Sequence, residues 1–164
     1  MRRGWVKTPV GWARVDYFSG TIRSFGFIEG KPLSVIEARL PQTLAQIVEA
    51  YRNGASVIPL LAMEGTPYQR KVWAILADIP CGSTMTYGEI AERVGGLSHA
   101  RAVARACSSN QTAMMIPCHR VVGQGTIGGY RWGIDKKSLL LEWEGRGGNV
   151  CDFFQSFWRN EAGK

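Results

Sequence analysis

TYGEIAERVGGLSHARAVARACSS, Thr86 to Ser109, is the stretch that decides the fold. Thr86 with Glu89 three residues on is the T-x-x-E pattern, in which side chain and backbone cap each other at a helix start. A helix over Tyr87–Val94 is predicted, broken by Gly95-Gly96. Ser98 is then expected to cap a second helix, His99 to about Ser108, with Ala100, Val103, Ala104 and Cys107 on one face. Helix, glycine turn, helix is the outline of a helix-turn-helix unit. The second helix is small and basic: HARAVARAC holds four alanines, two arginines and one valine. Small side chains let a helix backbone approach a surface closely, and Arg101 and Arg105, one turn apart, share a face. A helix meant only for the core would carry Leu or Ile. The plainer alternative is a tightly packed alanine helix with two solvated arginines.

Outward from this unit the pattern changes. Upstream, Thr66-Pro67 opens a helix carrying Val72, Trp73, Ile75 and Leu76, which Pro80 and Gly82 end. Further back, residues 11–18 alternate, with Ala13, Val15 and Tyr17 on one face. Ser19-Gly20 makes a turn and residues 21–29 are again β-branched and aromatic, a hairpin signal. Pro41 suits the first turn of a helix with Leu44, Ile47, Val48 and Tyr51 at i, i+3, i+4, i+7, stopped by Asn53-Gly54. Residues 57–61 suit one more strand. Downstream, the turn-rich VGQGTIGGYRWG precedes a last helix, Asp135 to about Glu144, carrying Leu139, Leu140 and Trp143. Phe153, Phe154, Phe157 and Trp158 then suit a short docked helix. The reading is an N-terminal α/β domain over residues 1–62, a mainly α C-terminal domain over 63–148, and a tail over 149–164. No internal repeat is found.

The chain has 164 residues, 45% of them hydrophobic and 20% charged, an ordinary globular balance. It has no run of 18 apolar residues and no apolar core of a signal peptide near its basic start, so a soluble intracellular protein, away from membranes, is expected. Lys and Arg number 20 against 13 acidic residues, a net +7 that suits an anionic partner, nucleic acid being the commonest. The four cysteines, Cys81, Cys107, Cys118 and Cys151, form no C-x-x-C pair. With His99 and His119 the only histidines, a zinc site of ordinary spacing is not expected.

MMIPCHRVV, Met114 to Val122, carries the chemistry. Met114, Met115, Ile116, Pro117, Val121 and Val122 read as buried strand or core, and a Cys-His-Arg trio set into them is a conflict of the kind that marks functional sites. A cysteine is a nucleophile only as its thiolate, and burial opposes that form. It needs a base, and the base needs a third group to orient it. His119 is the nearby histidine, but neighbours on a strand face opposite ways, so a bridging water suits better than a direct bond. Glu142, Glu144 and Asp135 are all candidates for the acid.

PCHRVV, Pro117 to Val122, resembles the signature of the O6-alkylguanine-DNA alkyltransferases, or methylated-DNA–protein-cysteine methyltransferases. The resemblance runs across residues 66–145, more loosely before them, and includes YQRKVWAILADIPCGSTMTYGEIA, ARAVARACSSN and GGYRWGIDKKSLLLEWEG in the family's order. It implies an RNase H-like α/β domain followed by a helical domain with a winged helix-turn-helix. It implies a suicide S-methyltransferase that needs no cofactor. Such a protein flips O6-alkylguanine, mainly O6-methylguanine with O4-methylthymine as a second candidate, out of the duplex and takes the alkyl group onto Cys118. His119 matches the water-mediated base, Glu144 the acid behind it, Asn110 the brace of the active-site turn, and Tyr87 the donor to the leaving guanine. Val121, through its backbone N–H, Tyr130, Arg131 and Met114 belong to the substrate pocket, and Arg120 to the scaffold. Arg101 matches the arginine that fills the gap left by the base, and Ala100, Ala102, Tyr87, Gln69 and Gly96 belong to the DNA-binding surface. The implied partner is double-stranded DNA, held through the minor groove with little sequence preference. A monomer in the cytoplasm, associated with the nucleoid in a prokaryote, is expected. The chain departs from the family pattern at Gln111, Cys81 and Cys107, which bears on pocket size, and no Cys or His precedes Cys81, so no metal is expected. The competing readings are a damage-binding relative that does not transfer, a thiol hydrolase using Cys118 and His119, and a winged-helix regulator.

Overall fold

The computed structural model describes residues 1–32, 46, 49, 53, 61–150, 152 and 153. Strands β1 (Arg2–Thr8), β2 (Gly11–Phe18) and β3 (Thr21–Phe27) form an antiparallel meander in that order. Ser19 and Gly20 both take positive φ, 47° and 79°, the geometry a two-residue hairpin turn requires. Ala13, Val15 and Tyr17 are buried, as the alternation predicts. Asp16 is buried among them, at a register shift between Asp16 and Tyr17, and is held by Arg3, Arg14 and Ser24. Strand β1 escapes the sequence pattern because its inward positions are Gly4, Val6 and Thr8, with one large aliphatic residue among them.

The free side of β3 carries the rest of the molecule. Leu61 bridges to Ile22 and Thr112 to Phe25, so the last residue of the strand expected over 57–61 does reach the sheet. The Phe25 N–H donates to the Gln111 carbonyl at 2.8 Å, and the Ala113 N–H to the Phe25 carbonyl at 2.7 Å. Gln46 and Glu49 are helical and Asn53 lies in a turn, where the Asn53 amide donates to the Glu49 carbonyl at 3.1 Å. The other residues named for that helix, Pro41, Leu44, Ile47, Val48 and Tyr51, lie outside the described residues.

Three helices make the second half's first layer. Helix α1 (Pro67–Ala77) starts from a reciprocal capping box between Thr66 and Gln69. Helix α2 (Tyr87–Val94) starts from the one expected between Thr86 and Glu89. Helix α3 (Ala100–Ser109) lies against α1, with the Trp73 indole N–H donating to the Ala106 carbonyl at 2.8 Å. The expected Ser98 cap is corrected. Leu97–His99 form a 3₁₀ turn entered through Gly96 at φ 124°, so His99 takes the cap position and Ser98 falls one residue short of it.

Strand β4 (Met85–Thr86) pairs in parallel with β5 (Val121–Val122), tying the start of α2 to the residues after Arg120. Helix α4 (Ile134–Gly145) turns Lys137, Leu140 and Glu144 inward, while Leu139, expected with Leu140, is 49% exposed. After α4 the tail returns: Val150 is buried, and Phe153 sets its ring edge to Trp143 at 6.5 Å. Phe154, Phe157, Trp158 and Cys151 lie outside the described residues. One cluster of buried residues runs from Val6 and Val15 through Phe25 to Val72, Ile90, Val103 and Leu140, so sheet and helices share a core.

Candidate active site

Of the residues read as buried strand or core, Met114 to Pro117 and Val121 are buried and Val122 is half-buried, and the strand is confined to Val121–Val122. Ahead of it the chain is a run of tight turns, and Cys118–Arg120 form a 3₁₀ turn. Met114 takes a left-handed φ of 64°, which is costly for a residue of its type. Turn bonds then close in succession: Ile116 N–H to the Thr112 carbonyl at 3.1 Å, Cys118 N–H to Ile116 at 2.8 Å, Arg120 N–H to Pro117 at 2.9 Å. Pro117 has no N–H to give a ladder, and the carbonyl before it is taken by a side chain, so a strand has no partner here.

That side chain is Asn110, the residue that ends α3. Its Oδ1 accepts from the Thr112 N–H and hydroxyl, both at 3.0 Å. A backbone N–H only donates, so this bond fixes which end of the amide is which. Nδ2 then donates to the Ile116 carbonyl at 2.8 Å and to Cys118 Sγ at 3.2 Å. Burial pushes the Cys118 thiol up to about 11, against the pull of Asn110 and of the Lys137 charge. At rest it is a protonated thiol.

His119 is fully buried, and its Nε2 meets Glu144 Oε1 at 2.9 Å. The distance would suit an ion pair, but burial lowers the imidazole pKa despite Glu144, so the contact is a hydrogen bond from neutral His119. Nε2 then carries the proton and Nδ1 is the basic nitrogen, buried without a hydrogen-bond partner. Glu144 also accepts from Arg120, whose Nε lies 3.0 Å from Oε2 and whose Nη2 lies 2.7 Å from Oε1, while Nη1 donates to the Ile79 carbonyl. Burial alone would raise the Glu144 carboxyl, but the His119 and Arg120 bonds outweigh it and hold it down to about 2. Glu142 is exposed and pairs with Arg146, and Asp135 is exposed, so the structure separates the three candidate acids.

Cys118 opens onto a cavity of about 340 Å³, at the small end of the range for small-molecule sites. Ala104, Cys107 and Ser108 of α3 line one side, and Gly129, Tyr130 and Arg131 of the loop before α4 line the other, with Tyr87. The Tyr130 hydroxyl is buried without a partner, and that of Tyr87 reaches the Gly129 carbonyl only at 3.5 Å. Burial raises both phenols, so both stay protonated donors. Gly128, at φ 73°, is needed here twice over: a Cβ would lie 2.9 Å from the Tyr87 ring and 3.0 Å from its hydroxyl. Beneath the cavity Lys137 is fully buried, its Nζ bonded to the carbonyls of Val121 at 2.5 Å and Gly129 at 2.9 Å.

Residues 67–146 match the family described as "6-O-methylguanine DNA methyltransferase, DNA binding domain". A Shigella flexneri methylated-DNA–protein-cysteine methyltransferase is 45% identical over 114 residues, 67% of each chain. The chain belongs to the methylated-DNA–protein-cysteine methyltransferase family. A "probable" member from Acanthamoeba polyphaga mimivirus is 50% identical over 84 residues, 51% of this chain. The match spans 56% of that protein, and 24% of another, longer relative. Among solved structures, that of Mycobacterium tuberculosis OGT in complex with DNA superposes with a TM-score of 0.70 at 29% identity, covering 93% of this chain and 98% of that one. The mixed α/β fold is thus the one seen in this family.

Against the family's pattern the expected residues fall into three groups. Cys118, His119, Glu144, Asn110, Tyr87, Tyr130 and Arg131 lie at or behind the cavity. Met114 and Val121 do not line it: the left-handed turn sends Met114 into the core, and Val121 points inward from β5. The Val121 N–H, expected to assist the leaving group, is already bonded to the Cys118 carbonyl in the 3₁₀ turn. On the outer face Arg101 is exposed and Ala100 and Ala102 half-buried, with Gly96 in the turn before them. Gln69 is committed locally, to the Thr66 cap and to Ser109 Oγ at 3.2 Å. Sequence reasoning missed Lys137, whose signal was its place at i−3 of Leu140 and i−7 of Glu144, on the buried face of α4.

Proposed function

We propose that this chain repairs duplex DNA by accepting the alkyl group of O6-alkylguanine, chiefly O6-methylguanine, on Cys118 in one irreversible turnover. The observation that carries this reading is a buried thiol facing a base-sized apolar cavity, with Asn110 on its sulfur and a neutral His119 behind it. The thiol proton passes to His119 Nδ1 through a water, and Glu144 stabilises the imidazolium that forms, a division of roles the short Nε2 contact supports. Sulfur then attacks the alkyl carbon, the S–C bond forms, and the C–O bond breaks. Its electron pair passes into the purine, which takes up a proton, with the Tyr87 hydroxyl as the nearby donor. The product is a thioether, and nothing in the site would cleave it.

A base stacked in a duplex cannot enter such a cavity, so the nucleotide is extruded and Arg101 fills the gap. The alanines beside Arg101 let α3 approach the minor groove, and phosphate contacts leave recognition largely free of sequence. In this reading α2 and α3 form the helix-turn-helix of a winged domain over residues 63–148, the sheet belongs to an RNase H-like domain over 1–62, and 149–164 form a docked tail. The protein acts as a monomer in the cytoplasm. The test is intact mass, with peptide mapping, after incubation with excess duplex bearing O6-methylguanine. One methyl group on the Cys118 peptide, and none with Cys118→Ser that still binds damaged duplex, is the expected result. Tight binding without mass gain would replace transfer by damage recognition alone.

A further inference from the structure

We propose that Arg131 holds the backbone phosphate of the extruded nucleotide, so that the cavity favours a damaged base carried on a strand over the same base free. The inference rests on the transfer reading above and names a contact within it. Arg131 is exposed and lies where the 340 Å³ cavity meets a second cleft, of about 470 Å³, under the sheet. Apart from this guanidinium the cavity walls are uncharged. A ligand seated there is therefore neutral inside and anionic at the mouth. An alkylated nucleotide within DNA has that distribution, with an uncharged purine and a phosphodiester a few bonds away.

The guanidinium is also under-used. Of the five N–H donors an arginine carries, one is engaged, from Nη1 to the Ser108 carbonyl at 3.0 Å. That bond, and the Trp132 ring 5.8 Å away, fix the side chain across the mouth. The other arginines of the second cleft are matched: Arg14 meets Asp16 at 3.2 Å, and Arg23 pairs with Glu64. Arg131 has no carboxylate partner among the described residues. A planar fork held at one end, with free donors at the other, suits a phosphate. The Arg131 charge also reaches the site, being one of the influences that pull the Cys118 thiol downward.

The rival role is structural, since a cation on the last carbonyls of α3 steadies a helix C-terminus. The two are separated by comparing wild type and Arg131→Gln on three substrates: duplex O6-methylguanine, the same duplex with neutral methylphosphonates flanking the lesion, and free O6-benzylguanine. Loss of one charge-assisted bond predicts a transfer rate from the duplex lower by about 10- to 100-fold in the variant, and a much smaller loss on the free base. The methylphosphonates should slow wild type by a similar factor and the variant little further. Equal losses on duplex and free base, or the same methylphosphonate penalty in both proteins, overturn the role of Arg131. Wild-type protein that transfers from no substrate overturns the transfer reading itself, and this proposal with it.

Discussion

The Cys118 thiol is protonated at rest, so the group that takes its proton sets the acid limb of the rate. In the proposed reaction that group is His119, whose pKa burial lowers below its ordinary 6.5. A base works only when neutral, so lowering its pKa extends the active range toward acid. Transfer is expected to be flat from about pH 7 to about pH 9 and to fall only below the ordinary imidazole value. A rate that instead climbs tenfold per pH unit across that range would show direct thiol titration and remove His119 as the base. Glu144→Gln has a separate consequence. It leaves the buried Arg120 without its counter-charge, at a cost of about 3–5 kcal/mol, read from denaturant unfolding. Because the native Glu144 pKa is depressed to about 2 from 4.5, its contribution is full above pH 4.5 and is lost as pH falls toward 2. Wild type should lose stability over that window and the variant should lack that slope; a cost under about 1 kcal/mol would mean the pair is not what secures Arg120. At this scale the reactive trio was legible, because a cysteine, a histidine and an arginine inside an apolar run are chemically out of place. Lys137 was not, because a lysine in a charged run reads as surface until the helix face is known.

Among elements, the loop from Gly123 to Gly133 is the one that places the cavity wall; its local pattern reads only as turn-rich, and it was the family resemblance that put Tyr130 and Arg131 at the pocket. Gly128 fixes the approach of that loop to Tyr87. Gly128→Ala adds a Cβ at a positive φ and within 3.0 Å of the Tyr87 ring and hydroxyl, so the ring or the loop must move. We expect a loss of stability of about 1–3 kcal/mol, and a fall in transfer on free O6-benzylguanine as well as on duplex; unchanged kinetics would show that the Tyr87 position is not critical. Helices α2 and α3 were legible to within a residue or two because capping boxes and glycine breaks are local signals. The 3₁₀ turn at Cys118–Arg120 was not. It depends on Asn110 taking the Ile116 carbonyl from six residues away, and apolar content alone reads as strand.

At the scale of the whole molecule the net charge of +7 is carried in part by Arg101 and Arg105, both exposed on α3. Duplex binding is expected to weaken steeply with salt, log K falling by about 0.9 per log unit of salt for each phosphate neutralised. Arg101→Ala should lower transfer from duplex far more than attack on the free base. A flat salt response would mean the basic surface does not touch phosphate. The division into sheet and helices was readable from period and punctuation, but not the shared core that joins them. That core depends on Phe25 pairing with the chain around Thr112, a contact across more than eighty residues that no local pattern carries. The buried thiol also bears on how the protein survives between encounters. A pKa near 11 keeps Cys118 in the thiol form at neutral pH, and its sulfur is reached only through the apolar cavity it lines. A peroxide or a stray electrophile therefore meets a thiol and not a thiolate, and only after entering that cavity. In the proposed single turnover, the burial that makes the sulfur wait for its base also shields a reagent that is spent once.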